Sequence, residues 1–222
     1  MISNNLARFA LRPIGICCVL AMLSACEPSM EEVIAKHRPA TEEVFGKLKA
    51  LDAPAQSAPP LSEDRIKIDA ERVVLEGKDS NALFILAHDL RAPESASDEL
   101  TGARRAFTVK GCGELLRNEF RGAAPGAQAF LTACGRAEYA FVLRTTAESL
   151  PMRIDEKTFE PGRYEGDVLL LRLTDGALLG GFRVSAESSG EVIETHLQED
   201  LNLKLLADID AKLRQHVPGV IP

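Results

Sequence analysis

The sequence predicts an α+β fold, in which helices cover an antiparallel sheet. One observation is a strand–turn–strand pattern over about 164–187, a β-hairpin centred on Asp175-Gly176. The other is an apolar stripe at helical spacing over about 195–217, which predicts an amphipathic C-terminal helix. Because 45% of the 222 residues are apolar, the chain can bury the core that such a fold needs.

A helix is also predicted near the N-terminus, over residues 30–51. Ser29 and Glu32 have the spacing of a capping box, and apolar residues follow at helical spacing. Pro39 is expected to kink or divide this helix, because proline lacks an N–H and clashes with the preceding turn. The Pro- and Ala-rich residues 53–63 predict a linker that cannot continue the helix. The sequence leaves open whether the helix packs on the rest of the chain.

Shorter elements are predicted between the linker and the hairpin. Apolar runs bounded by turn formers predict strands at 66–68, 73–75, 83–86 and 139–146, and helical candidates lie at 113–121 and 127–133. A loop is expected over 91–98. A type II turn is expected at Glu160-Pro-Gly-Arg163, where Pro and Gly occupy the two central positions.

The predicted register of the hairpin follows from its turn. Asp-Gly is the preferred pair of a type I′ turn, and a two-residue turn at 175–176 places Leu173 opposite Leu178 and Leu169 opposite Phe182. This register gives one apolar face and one mixed face, as in an antiparallel sheet covered on one side. The C-terminal helix, with a capping-box pattern at 195–198, is expected to cover the apolar face.

The first 25 residues have the composition of an export signal. They contain Arg8, Arg12 and no acidic residue, and an apolar run occupies 14–23. This run is too short for a transmembrane helix, which needs about 20 residues. It ends at Leu23-Ser-Ala-Cys26, which resembles the lipobox of bacterial lipoproteins.

The resemblance implies cleavage before Cys26 and attachment of diacylglycerol to its sulfur, with palmitate among the acyl chains. Two or three acyl chains anchor a protein stably to a membrane. Glu27, where inner-membrane lipoproteins carry aspartate, implies the outer membrane, with the body facing the periplasm. An ordinary secretory signal and an uncleaved anchor are the alternatives.

The sequence therefore divides into three regions. Residues 1–25 are predicted to be a cleaved signal peptide, 26–63 a lipid-anchored helix and linker, and 64–222 a single α+β domain.

The charge balance argues against a nucleic-acid-binding protein. The net charge of −7 becomes −9 when the signal peptide and its two arginines are removed, whereas nucleic-acid binding requires a basic surface. One stretch is basic, and we interpret it as a solvated helix face with its flanking loop; contact with an anionic headgroup or polymer is the alternative. Its residues are Arg104, Arg105, Lys110, Arg117 and Arg121.

Two cysteines remain for a disulfide. Cys17 and Cys18 leave with the signal and Cys26 carries lipid, so Cys112 and Cys134 are predicted to pair in an oxidising periplasm. Such a bridge contributes about 3 kcal/mol in the chain-entropy description. A reactive thiol pair or a metal site is the alternative, but no C-x-x-C spacing or nearby histidine supports zinc.

No motif in the sequence predicts an active site, a metal or a cofactor. The nucleophile elbow, the zinc-protease motif and the glycine-rich nucleotide loops are absent from the sequence. His88, with Asp89, is a weak catalytic candidate, because neighbouring residues on a strand face opposite sides and are not preassembled. The other histidines are interpreted as exposed, and a cluster of acids as a solvated loop. These residues are His37, His196 and His216, and Asp155, Glu156 and Glu160.

The leading hypothesis is a non-catalytic interaction or accessory module, anchored in the envelope by lipid on Cys26 and docking on an envelope protein. One alternative is a periplasmic hydrolase that uses His88 with an unidentified carboxylate. Another is a carrier of a small apolar ligand, which requires an apolar cavity between the sheet and the helices. Gly180-Gly181 permits something to approach the sheet closely, either a covering helix or a bound chain.

Overall fold

The structure, a computed structural model, describes residues 28–61, 73–75, 79–97, 109–119, 124–154, 159–189 and 197–217. Its fold is α+β, as predicted. In chain order the elements are α1 (Met30–Ala50), α2 (Asp52–Ser57), β1 (Ala82–Leu86), two 3-10 helices (Ala87–Arg91 and Pro93–Ser95), α3 (Val109–Leu116), α4 (Ala124–Gly135), β2 (Tyr139–Ser149), β3 (Met152–Arg153), β4 (Phe159–Glu160), β5 (Arg163–Arg172), β6 (Leu178–Glu187) and α5 (Leu197–His216).

The main sheet has four strands in the order β1-β2-β5-β6. β1 pairs with β2 in parallel, whereas the β2–β5 and β5–β6 pairs are antiparallel. The parallel pair is connected through α3 and α4, as a parallel connection requires a crossover of this kind. β3 and β4 form a separate small hairpin between β2 and β5.

Helices cover both faces of the main sheet. One buried cluster joins α1, α3 and α4 to strand residues such as Ile85, Val142 and Leu169. The second joins α5 to the opposite side chains, among them Phe141 and Val168. Alternation along each strand sends successive side chains into the two clusters, and both clusters are apolar. The structure thus has three layers, where the sequence led us to expect one covered face.

The N-terminal helix forms as predicted but is not divided. The Ser29–Glu32 capping box is present, and α1 continues through Pro39 to Ala50. Pro39 is exposed, so the carbonyl group that its missing N–H leaves unpaired faces solvent, where water can satisfy it. Val33 and Ile34 are buried within the first turns, so α1 is part of the buried cluster from its N-terminal end and packs mainly against α4.

The prediction that residues 53–63 form a linker without helical structure is wrong. Residues 52–57 form α2, and Ala55 is fully buried. Leu61, beyond this helix, lies against the glycine at position 181, where an added Cβ would be 2.7 Å from the leucine Cδ1. The close approach expected at Gly180-Gly181 is therefore made by this N-terminal segment.

The hairpin forms, but with a different turn and register. Five residues, 173–177, separate its strands. Gly176 adopts the left-handed conformation with φ +69°, but Asp175 has a negative φ, so the turn is not type I′. The Asp175 carboxylate instead accepts hydrogen bonds from the Ala177 N–H and from Arg172 Nε.

A bulge in β6 shifts the remaining register. Leu171 pairs with Leu178 but Leu170 pairs with Gly180, which places Phe182 opposite Val168 rather than Leu169. A shift of one residue exchanges the two faces of a strand. Phe182 therefore faces α5 together with Val168 and Leu170. The face that α5 covers thus combines Phe182 from the predicted apolar face with β5 residues from the predicted mixed face.

Several shorter predictions can also be compared with the structure. The strand at 83–86 and the strand at 139–146 are confirmed, whereas residues 73–75 are not in a regular strand and 66–68 lie outside the described residues. α3 ends before Asn118, whose φ of +60° stops the helix, so the prediction of 113–121 is displaced. The type II turn is wrong, because Gly162 does not have a positive φ; a Cβ there would lie 2.5 Å from Pro151 Cδ.

Candidate functional site

The second half of β2 extends beyond its parallel neighbour. β1 pairs with residues 139–143 of β2 and ends at Leu86, where the chain turns into a 3-10 helix. β2 continues to Ser149, still paired with β5 on its other side. Among the described residues, none pairs as a strand with the outer edge of 144–149. This half-paired strand forms one side of the candidate site.

A cleft of about 800 Å³ lies between this edge of β2 and the N-terminal half of α5. Its volume is within the range of binding sites for small molecules or for a few side chains of a larger ligand. The end of β1 and one residue of β5 complete it. The lining residues are Leu86, Ala87, His88, Leu143, Arg144, Thr145, Glu148, Leu150, Tyr164, Gln198, Asn202 and Leu205.

Half of the residues that line the cleft are polar, and buried apolar side chains form its floor. Leu143 and Leu205 belong to the buried cluster between the sheet and α5, and so does Tyr164. The Tyr164 hydroxyl and the Thr145 hydroxyl are 2.9 Å apart and share a hydrogen bond. The cleft therefore has an apolar floor with one fixed polar pair beside the strand edge.

Arg144 is the first residue of β2 beyond the part that pairs with β1. Its Nη2 lies 2.7 Å from Asp167 Oδ2, in an ion pair whose side chains are 16% and 3% exposed. The same guanidinium donates to the carbonyl oxygens of Ala55, Ala58 and Pro59. A guanidinium that satisfies several acceptors at once fixes the strand against the segment that follows α2.

The α5 wall is held to the end of β6 by Asp200. Its carboxylate accepts hydrogen bonds from the Ser189 N–H at 2.7 Å and from the Ser189 hydroxyl at 2.9 Å. These bonds, with Lys204 one turn away, hold the pKa of Asp200 below its usual value. The first turn of α5 is thereby positioned beside the cleft.

His88, the weak catalytic candidate, lies at the rim of this cleft. It is in a 3-10 helix rather than on a strand, so the expectation that His88 and Asp89 face opposite sides is wrong. His88 Nε2 is 3.6 Å from Asp89 Oδ1 and 3.4 Å from the Ser97 hydroxyl.

The same cluster lacks the geometry of an activated nucleophile. The Ser97 hydroxyl donates to Asp89 Oδ2 at 3.1 Å, and the Ser97 N–H donates to the same oxygen at 3.0 Å. In a serine–histidine–acid triad the histidine lies between the hydroxyl and the acid and accepts the hydroxyl proton. Here the carboxylate holds that proton directly, an arrangement that closes the loop of 89–97.

The predicted disulfide is present. Cys112 on α3 is bonded to Cys134 on α4, with Cα atoms 6.0 Å apart, and both residues are fully buried. The glycines beside the cysteines allow the helices to approach each other and α1. A Cβ on Gly111 would lie 2.7 Å from the Phe130 ring, and one on Gly135 would lie 2.9 Å from Ala40.

The remaining predicted residues do not join the cleft. Within the basic stretch, Lys110 pairs with Glu114 and Arg117 with Glu119. His37 is half-buried on α1, and its pKa is lowered, first by burial and then by Lys36 and Arg136. His216 is also half-buried and stacks on Phe182, so the interpretation of His37 and His216 as exposed is wrong. Glu160 is exposed at the end of β4. The other residues of these predictions lie outside the described residues: Cys26, Arg104, Arg105, Arg121, Asp155, Glu156 and His196.

An exposed apolar strip continues from the cleft. Leu150, Met152 and Ile154 have relative exposures of 64%, 59% and 62%. Their spacing of two residues places them on one side of an extended chain, and Leu150 also lines the cleft. Large apolar side chains grouped in this way mark interaction surfaces more often than isolated ones do.

Sequence reasoning missed the strand edge and the residues around it, chiefly Glu148 and Tyr164. One signal was available, since the alternation of Leu150, Met152 and Ile154 is visible in the sequence. What could not be read was that α5 lies next to the protruding end, since that depends on the shifted register of β6.

No group of three or more histidine, cysteine or acidic residues in the described part of the chain has the arrangement of a metal site. None of the described helices is both long and apolar enough to cross a membrane. No family model, no curated protein and no solved structure matches the chain.

Proposed function

We propose that this chain is a lipoprotein of the bacterial envelope, anchored to the outer membrane through Cys26, and that it acts as a non-catalytic accessory module. Its body faces the periplasm and binds an envelope protein at the cleft between β2 and α5. The observation that carries the proposal is the half-paired strand beside that cleft, with the exposed apolar strip that extends it.

The sequence around Cys26 supports the anchor. A basic start, a short apolar run and Leu23-Ser-Ala-Cys26 have the order of a lipoprotein signal. A buried disulfide is also typical of proteins that fold in an oxidising compartment such as the periplasm.

The anchor is tested by labelling growing cells with a palmitate analogue and separating their membranes. The full chain is expected to carry the label and to sediment with the outer membrane, and Cys26→Ser is expected to abolish labelling. Glu27→Asp is the matched control for sorting, because it should keep the label and move the chain to the inner membrane. An unlabelled full chain would contradict the lipid anchor.

The binding role is tested by photo-cross-linking in cells. A photoreactive residue is placed at Glu148 or Leu150 in the cleft and, as a control, at Ser185, an exposed position on β6. The cleft positions are expected to give the same adduct, of one defined mass, that is absent at Ser185. If adducts form equally at all three positions, or at none, the cleft is not a protein-binding site.

Binding of a small apolar ligand is a second candidate, and the apolar floor of the cleft favours it. The volume of about 800 Å³ and the buried Leu143, Tyr164 and Leu205 match what such a site requires. Mass spectrometry of the intact chain under native conditions would show a stoichiometric small molecule that Leu205→Arg removes. A chain that is isolated without any such molecule would count against this candidate.

A further inference from the structure

We propose that the partner enters the cleft as an extended polypeptide segment that pairs with the outer edge of β2 as an added strand. The inference rests on the proposed function, namely that the cleft binds a protein, and it specifies which chemistry is recognised.

The outer edge of β2 offers backbone groups to a new strand. In a strand the N–H and C=O groups of alternate residues point to the same side. The Tyr139 N–H donates to the Asn81 carbonyl oxygen at 3.1 Å, on the side of β1, so Thr145 also faces that side. Beyond the bulge between Thr145 and Ala147, Glu148 lies opposite Tyr164 of β5. The backbone groups of Ser185 and Glu187 point outwards from β6, so those of their partners Glu165 and Arg163 point to β2. The intervening Tyr164 therefore directs its groups to β6, and Glu148 opposite it faces outwards.

The outer edge of β6 is closed, in contrast. Three side chains of α5 form hydrogen bonds with its outward backbone groups. The Asp208 carboxylate accepts from the Ser185 N–H at 2.9 Å. Lys212 donates to the Arg183 carbonyl oxygen, and Lys204 donates to that of Glu187. Proteins commonly block free strand edges in this way to prevent unwanted pairing. No comparable side-chain bond to the backbone of Thr145 or Glu148 is made by a described residue.

The surroundings of the β2 edge fit the side chains of an added strand. Every second side chain of such a strand would point towards α5 and reach the floor made by Leu143, Tyr164 and Leu205. The bulge and Pro151 limit regular pairing to a few residues, which disfavours long pairing between copies of this chain. The site therefore suits a short segment with apolar residues at alternating positions.

Charge adds a further requirement on the segment. Glu148 lines the cleft, is exposed and makes no ion pair with a described residue, whereas Arg144 is already engaged by Asp167. A basic residue of the partner opposite Glu148 would complement this carboxylate, and the acidic balance of the whole chain acts in the same direction. The expected ligand is thus an extended segment with alternating apolar residues and a flanking Lys or Arg.

The test uses the lipidated full chain in detergent micelles and a displayed library of random peptides of about ten residues. Enriched peptides are expected to show the alternating apolar pattern with a basic residue. The best peptide is then synthesised with single N-methyl groups along its backbone. Methylation of alternate amides should weaken binding about tenfold, since each removes one hydrogen bond to the edge, and methylation of the intervening amides should change the Kd less than about twofold.

Two variants of one residue provide the matched control on the protein side. Glu148→Pro removes the outward N–H together with the charge, whereas Glu148→Ala removes the charge alone. Glu148→Pro is expected to bind the peptide about tenfold more weakly than Glu148→Ala, with circular dichroism and the unfolding midpoint showing that both variants fold. The N-methyl series decides the question on its own if Glu148→Pro does not fold.

Equal weakening by methylation at all positions, or equal Kd values for a folded Glu148→Pro and Glu148→Ala, would overturn strand addition. A dimer of the full chain that Glu148→Pro dissociates would also overturn the inference, because the occupant would be a second copy. If the cross-links at Glu148 and Leu150 are still found in those cases, the binding function stands and only the mode of recognition is wrong. If peptides bind as expected but no cross-link forms in cells, the cellular function is what fails.

Discussion

The two halves of β2 belong to one strand but to different environments. Residues 139–143 lie between β1 and β5, and Phe141, Val142 and Leu143 are buried. Residues 145–149 have β5 as their one strand partner among the described residues, and all five are exposed. The first half holds the three layers together, and we propose that the second half presents the same backbone to a partner. On this proposal, one strand combines stability with binding by being longer than its neighbour.

The sharpest test of this comparison is one truncation in each half. Phe141→Ala removes a side chain that is 1% exposed and is expected to lower the free energy of unfolding by about 4 kcal/mol. Thr146→Ala, in the exposed bulge, is expected to change it by about 0.5 kcal/mol or less. Urea unfolding followed by circular dichroism measures both values, and similar losses for the two variants would contradict the division.

Arg144 stands at the boundary between the two halves. Arg144→Met is expected to lower the free energy of unfolding by about 3 kcal/mol, because it leaves the buried Asp167 carboxylate and three carbonyl groups without their donor. Lys49→Met is the control, since its ion pair with Glu94 is exposed and should contribute about 0.5 kcal/mol. If both substitutions have the same small effect, Arg144 does not fix the strand.

The helices that cover the first half are joined by Cys112–Cys134, with a sequence separation of 22. Substituting both cysteines with alanine is expected to lower the free energy of unfolding by about 2–3 kcal/mol, mainly because the unfolded chain gains conformational entropy without the cross-link. Urea unfolding of the full chain with and without a reductant gives an independent value. Identical midpoints in the two conditions would show that the bridge does not contribute.

The smallest change in the free energy of unfolding is expected for Asp200, which lies on α5 beside the second half of β2. Asp200 has a lowered pKa, so its contribution is fully present above the usual carboxyl range and is lost as the pH falls through the lowered value. Asp200→Asn should therefore cost about 1 kcal/mol or less at pH 7, and the difference from the unsubstituted chain should shrink in acid. A difference that stays constant from pH 7 to acid would mean that the carboxylate charge has no part in holding α5.

Much of the fold could be predicted because it depends on local patterns. The capping box at Ser29, the stripe of α5 and the strand at 139–146 each follow from residues close together in the sequence. The disulfide followed from counting cysteines in an oxidising compartment.

The failures that affect the candidate site most involve residues far apart or a single inserted residue. The bulge in β6 changes which face Phe182 takes, and no alternation pattern records one extra residue. Arg144 organises the segment after α2 from a position almost ninety residues away, which turns an expected linker into packed structure. The candidate site lies where these two effects meet, and for that reason its residues were not found from the sequence.

The early start of α1 has a consequence for how the protein works on a surface. Met30 is four positions after Cys26, so the backbone between the proposed lipid and α1 spans about 14 Å at most. A folded chain of this size has a radius of gyration of about 16 Å, so the connecting backbone is shorter than the radius of the domain. If the chain is anchored at Cys26, the domain stays next to the bilayer surface and can reorient there but cannot move away from it. Confinement of this kind raises the effective concentration of partners held on the same membrane over those dissolved in the periplasm.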